Sequence, residues 1–185
     1  MNQNVNSIFI INQEFDELKH GLYVGHYYDI GFGLYLKNNN NPYEWIFSLN
    51  GLPYTPYSGG KFYLKILFPF DYPKARPEFC FVTPFYHINV NHIKQPTCKL
   101  GHIDTAILNW WKPTTKIKEV ILDILTFFFI CDPDCPFGLE RSDLIRKNRE
   151  LFDKRVKYFT QKYANPSIPY KEYDSWDFSV PNELE

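Results

Sequence analysis

Between Ile8 and Leu18 the apolar residues Ile8, Ile11, Phe15 and Leu18 stand three or four apart with polar residues between them. That spacing predicts a short amphipathic first helix, and Gly21 is its expected end. From Tyr28 the period falls to two. Tyr28, Ile30, Phe32, Leu34 and Leu36 alternate with Asp29, Gly31, Gly33, Tyr35 and Lys37, as a half-buried strand requires. Asn38 to Pro42 turns the chain. Trp45, Phe47 and Leu49 repeat the alternation, Asn50 to Gly60 is rich in turn formers, and Phe62, Leu64, Ile66 and Phe68 mark a third strand. A weaker fourth, Glu78 to Val82, follows the loop holding Asp71, Tyr72 and Pro73. The short connections predict an antiparallel meander.

Pro84 to Pro113 shows no sustained period, and an irregular stretch of about thirty residues inside a compact domain is either functional or a misread period. Ile117, Val120, Ile121, Ile124, Leu125 and Phe128 then fall on one helical stripe, which Thr114 or Thr115 would cap. Cys131 to Gly138 breaks the pattern. Ser142 to Tyr163 returns to helical spacing through Leu151, Phe152, Val156, Phe159 and Tyr163. The order is that of an α+β fold, with residues 1–164 as one domain. Residues 165–185 are a polar and aromatic extension, expected to lie partly on the surface or on a partner.

Composition narrows the function classes. Apolar residues are 44% and aromatics 19% of the 185, enough for a core, and the net charge of -1 supplies no field for nucleic acid or anionic lipid. The most apolar run, Val120 to Cys131, is shorter than the roughly eighteen residues of a membrane span and is interrupted by Asp123 and Thr126. Met1 to Ile11 carries no basic segment of a secretion signal, so a reducing compartment, cytoplasm or nucleus, is expected. Four cysteines in such a chain make no disulfide framework. Cys80, among Phe79 and Phe81, and Cys131, at the end of the apolar helix, are expected to be buried structural thiols.

Particular residues carry more than the pattern does. Tyr54 to Gly60 reads Tyr-Thr-Pro-Tyr-Ser-Gly-Gly before a strand, and Phe68, Pro69, Asp71, Tyr72 and Pro73 follow that strand. Tyr86, His87 and Asn89 come next, then Cys98 eleven residues after the histidine, and Trp111-Lys112-Pro113 before the long helix. Asp132-Pro133-Asp134 and Phe159 to Ala164 complete the series. In identity and order these landmarks resemble the ubiquitin-conjugating enzymes, from about Ile8 to Ala164. The resemblance implies that family's fold: an N-terminal helix, a four-stranded antiparallel meander, an active-site crossing segment, a long central helix and C-terminal helices. It implies two-step acyl transfer, in which Cys98 accepts ubiquitin or a ubiquitin-like modifier from an activating enzyme and yields it to a substrate amine, with or without a ligase. Asn89 would then stabilise the oxyanion, Asp134 would orient the attacking lysine, and His87, Trp111 and Pro113 would shape the site. The resemblance calls for no cofactor and no metal.

Each residue has a plainer reading. Cys98 on its own is an inert thiol, Asn89 and Asp134 are turn formers, and His87 is a hydrogen-bonded structural residue. Several positions also depart from the family. Ile88 stands where the proline of the family's His-Pro-Asn segment does, Lys74 replaces an aromatic that docks ligases, and Arg76 replaces a proline. The first helix presents Ile10 and Gln13, with Glu14, Asp16 and Glu17 behind, in place of a basic face. A catalytically inactive member of the fold, serving as an interaction module or a fixed subunit of a stable protein complex, is therefore a second reading, with Tyr170, Tyr173, Trp176 and Phe178 as partner contacts. A third is a zinc site formed by Cys98, His102, Cys131 and Cys135, each pair four apart.

Overall fold

Strands form where the period is two. The computed structural model describes residues 2–24, 33–36, 41–94, 99–131 and 138–185. Strands β1 (Gly33–Leu36), β2 (Glu44–Asn50), β3 (Lys61–Leu67) and β4 (Glu78–Phe81) pair antiparallel in that order, the expected meander. The register sets Phe47 opposite Leu64 and Leu64 opposite Phe81, and likewise Trp45, Ile66 and Phe79. All six are buried, so these two rows form the core face of the sheet.

Helix α1 (Asn2–Val24) is longer than the apolar stripe and continues three residues past Gly21. An interior glycine costs a helix only about 1 kcal/mol relative to alanine, too little to stop it by itself. Ile11 is buried as expected, but so are Ser7 and Glu14. Ser7 Oγ lies 2.8 Å from the carbonyls of Phe70 and Tyr72. Glu14 accepts from the Tyr72 hydroxyl through one oxygen and from the Ile117 backbone N–H, at 2.8 Å, through the other. Glu14 is thus an internal tie and does not belong to an exposed acidic face; Asp16 and Glu17 are exposed.

A four-residue helix, α2 (Ala106–Asn109), lies inside the segment that showed no period, and the Thr105 hydroxyl caps it by accepting from Leu108 N–H. Helix α3 (Ile117–Leu125) continues as a 3-10 turn, Thr126–Phe128, and buries Ile117, Val120, Ile121, Ile124, Phe127 and Phe128. Neither threonine caps it. Thr115 Oγ1 accepts from Lys112 N–H, Glu119 accepts from Lys116 N–H at 3.0 Å, and Glu14 of α1 supplies the acceptor for Ile117. The last helical stretch is two helices, α4 (Leu139–Lys147) and α5 (Arg149–Tyr163). Asn148 breaks it, with non-helical backbone (φ −153°, ψ 80°) and a side chain that accepts from Leu151 N–H at 3.0 Å. An asparagine placed to cap a new helix satisfies donors that continuation would have used within the old one.

The extension folds back on the core. Tyr173, Phe178 and Val180 pack against it, and Trp176 is only 8% exposed. These aromatics are used inside the chain.

Candidate active site

The site is built on the segment from Phe85 to Asn91. Phe85 stacks on Phe81 with ring centroids 4.2 Å apart, which fixes the segment to β4, and His87 stacks on Phe127 at 4.7 Å. The His87 ring is fully buried. Its Nδ1 accepts from Asn89 N–H at 3.1 Å, and a backbone amide can only donate. The ring hydrogen therefore sits on Nε2, 3.2 Å from both the Ile130 carbonyl and Cys131 Sγ. Burial pushes the His87 pKa down to about 3, against the upward pull of the Ile130 carbonyl, and holds the ring neutral. It is a clamp on the Asn89 backbone and not a base.

Ile88 is fully buried, and Gly138 at the head of α4 approaches it so closely that a Cβ there would lie 3.0 Å from Ile88 Cα. Without the proline ring, the backbone before Asn89 is held by the His87 bond on one side and by α4 on the other. The Asn89 carbonyl accepts from Asp104 N–H at 3.0 Å. Asn89 opens on a cleft of about 330 Å³ lined by Asp104, Thr105, Asn109, Trp110, Asp123 and Thr126 among others. Asn109 donates to the Asp104 carboxylate at 2.7 Å, and Thr126 donates to the Asp123 carbonyl.

Asn91, two residues on, is buried and bridges Ile93 and Lys99. Its side-chain NH2 donates to the carbonyls of Ile93, at 2.7 Å, and Lys99, at 3.0 Å, while its backbone pairs with Gly101 and His102. Cys98 and Asp134 lie outside the described residues, as does Cys135. Lys99, the residue after Cys98, forms an ion pair with Glu78. The other two thiols are placed: Cys80 is buried in β4, and Cys131 is partly buried, with its pKa pushed up to about 11 by burial. Among the described residues no group of three or more His, Cys, Asp or Glu is arranged to hold a metal.

Trp111 is half-buried, and its indole donates to the Pro73 carbonyl at 2.9 Å, while Pro113 is exposed in the turn before α3. Trp110, 80% exposed, lines the cleft beside Asn89; Trp111 does not. Arg76 donates to the Leu108 carbonyl at 3.0 Å, so this departure ties its loop to α2, and Lys74 is exposed. Asn91, Asp104 and Trp110 are the site residues that sequence reasoning missed. The asparagine repeat at Asn89 and Asn91 was the one available signal, since an alternating pair can send one side chain to each purpose.

The family model described as ubiquitin-conjugating enzyme matches residues 17–160. An Arabidopsis thaliana protein named as a probable ubiquitin-conjugating enzyme E2 31 is 41% identical over 130 residues, which cover 70% of this chain and 80% of the relative. Among solved structures, a candidate ubiquitin conjugating enzyme from Plasmodium yoelii superposes with a TM-score of 0.71 at 26% identity, over 85% of this chain and 95% of the other. A Toxoplasma gondii ubiquitin conjugating enzyme domain does so with 0.67 at 26% identity, over 83% and 96%. With helix, meander, crossing segment and helices in the same order, the chain belongs to the ubiquitin-conjugating enzyme family.

Proposed function

We propose that the chain carries ubiquitin or a ubiquitin-like modifier as a thioester on Cys98 and transfers it to a substrate amine. The observation that carries this is the frame His87, Asn89 and Asn91. One residue is fixed by the histidine at the mouth of a cleft, and the other tethers the chain at Lys99, one residue past Cys98. In charging, the Cys98 thiolate attacks the thioester between the modifier's C-terminus and the activating enzyme, and that enzyme's thiolate leaves. In discharge a neutral lysine amine forms the C–N bond, the C–S bond breaks, the Cys98 thiolate leaves, and the amine proton passes to solvent. The Asn89 amide donates to the oxyanion between these events, a contribution of about one hundred to one thousand-fold. Asp104 and Asp123 line the cleft and favour approach of a cationic lysine, with Asp134 as the orienting group. The partners are the modifier, its activating enzyme and a ligase or substrate, met in the cytoplasm or nucleus. No described helix is long and apolar enough to cross a membrane.

The test is a charging assay with a panel of activating enzymes and modifiers, ATP and the full chain. A thiol-sensitive adduct is expected with wild type, a thiol-resistant oxygen ester with Cys98→Ser, and normal charging with slow discharge to lysine for Asn89→Ala. If no activating enzyme charges Cys98, and wild type and Cys98→Ala both copurify with one large complex in fixed ratio, the chain is an inactive module of the fold.

A further inference from the structure

Three of the four tryptophans are used inside the fold. Trp45 is fully buried, Trp176 is nearly so, and Trp111 is half-buried with its indole on the Pro73 carbonyl. Trp110 is the exception: it stands in water and lines the cleft that holds Asn89. The backbone beneath its ring is nevertheless fixed. Trp110 N–H donates to the Ala106 carbonyl at 2.9 Å and closes α2, the Leu108 carbonyl of the same helix is held by Arg76, and Trp111 is anchored on the other side. The ring is therefore a preformed aromatic wall that adds nothing to the core.

Asp104 lies at the opposite end of α2, where the Asn109 amide holds its carboxylate at 2.7 Å and Thr105 caps the helix. Asp123 of α3 lines the cleft as well, and among the described residues no Lys, Arg or His does. An aromatic face and carboxylates in one cleft favour a cation. A guanidinium suits them best, because it is planar, stacks on an indole and presents further donors to a carboxylate at the same time. An ammonium is drawn to the same charge, but a carboxylate beside it favours its protonated form, and the amine that attacks a thioester must be neutral. The group best held on Trp110 throughout transfer is one that stays charged and does not react, which describes arginine. Asn89 and Trp110 share a cleft of about 330 Å³, so an attacking lysine and such an arginine come from one short stretch of the acceptor.

We propose that Trp110 is a specificity-determining residue that stacks an arginine of the acceptor segment, with Asp104 paired to it, so that amines beside a basic residue are preferred to amines in acidic segments. The preference in transfer rests on the thioester reading, and the binding of an arginine segment in the cleft does not.

Binding is read on the uncharged full-length chain, by NMR at the Trp110 indole N–H and the Asn89 amide. The probes are capped Gly-Arg-Gly, its citrulline counterpart and Gly-Glu-Gly, none of which contains an amine that reacts. Only the arginine peptide should shift these signals. Trp110→Ala, read at Asn89, and Asp104→Asn should each weaken binding about two- to fivefold, while Trp110→Tyr should keep most of it. Phe9→Ala, which removes an exposed aromatic of α1, should keep all of it. Transfer is read as the ratio of thioester discharge rates to capped Gly-Arg-Gly-Lys-Gly and Gly-Glu-Gly-Lys-Gly, since damage to the fold lowers both rates alike. That ratio should be roughly tenfold at low salt, shrink as salt is added, and fall about two- to fivefold in Trp110→Ala. Equal shifts with the arginine and citrulline peptides, or unweakened binding by Trp110→Ala, would overturn the proposal, as would a discharge ratio of one in wild type. Should Trp110→Ala fail to fold, Asp104→Asn decides with the same readouts. Arginine binding by a chain that no activating enzyme charges would leave the cleft's preference standing and overturn the thioester reading alone. Charging without arginine binding would do the reverse.

Discussion

Replacing Glu14 by alanine removes the group on which three elements converge. Glu14 is 4% exposed, and its two oxygens receive the Tyr72 hydroxyl from the loop after β3 and the Ile117 N–H at the start of α3. Both donors belong to residues that are at most 2% exposed, so water does not replace the carboxylate. A buried donor left unpaired costs about 1–3 kcal/mol, and losing a negative group at a helix N-terminus adds about 0.3–1 kcal/mol. Glu14→Ala, which leaves two such donors unpaired, should therefore cost roughly 2–7 kcal/mol out of a total of about 5–15, and at about 2–4 °C per kcal/mol lower the melting temperature by roughly 4–28 °C. Glu14→Gln keeps one acceptor oxygen and leaves one donor unpaired, so it should cost about 1–3 kcal/mol. The assay is urea unfolding with the slope m compared across variants, together with the double-mutant cycle of Glu14→Gln and Tyr72→Phe. A cost below about 1 kcal/mol for Glu14→Ala at unchanged m, or equal costs for Gln and Ala, would refute the tie.

The folded-state pKa of His87, about 3, lies below the ordinary value of 6.5, so between those values the unfolded chain binds the extra proton. The associated stability is whole above about pH 6.5 and lost as pH falls towards 3. Burial lowers His92 to about 4 in the same sense. Urea midpoints should fall steadily below pH 6.5, and nitrogen NMR should show a neutral His87 with hydrogen on Nε2; a ring that protonates near pH 6 would contradict this. At pH 7.5 the Cys131 thiol, raised to about 11, is almost wholly protonated, and Cys80 is shielded in β4. Alkylation of the native protein followed by peptide mapping should therefore modify Cys98 well before either, and early labelling of Cys80 would mean that β4 is misassigned.

The sheet and the apolar helix faces were legible because each is a periodic burial of side chains, and Trp45, Phe47, Leu64 and Ile66 announce the core face by alternation alone. What escaped is what periodicity does not record. Ser7 and Glu14 read as the polar side of a helix, and only the positions of Tyr72 and Ile117 across the fold draw them inward. Asn148 looks like any polar residue between two helical turns until its side chain is seen capping Leu151. The same limit applied at the site. His87 and Asn89 were visible as an ordered pair of landmarks, but Asp104 and Trp110 join them only through the turn that ends at Gly101. Trp111 turns its indole to the Pro73 carbonyl while Pro113 lies exposed before α3, and sequence order does not specify the direction either residue faces.

The contact between Gly138 and Ile88 limits how this sequence can drift. A methyl group at position 138 would meet the Ile88 backbone at 3.0 Å, inside ordinary van der Waals separation. Substitutions at the two positions are therefore not independent: a side chain acquired at 138 is tolerated only after the chain at 88 has been displaced, and that displacement moves Asn89. A lineage that changed position 138 first would have to shift the Ile88 backbone by a few tenths of an ångström, so the path from this sequence to a variant with a larger residue there passes through the backbone at position 88.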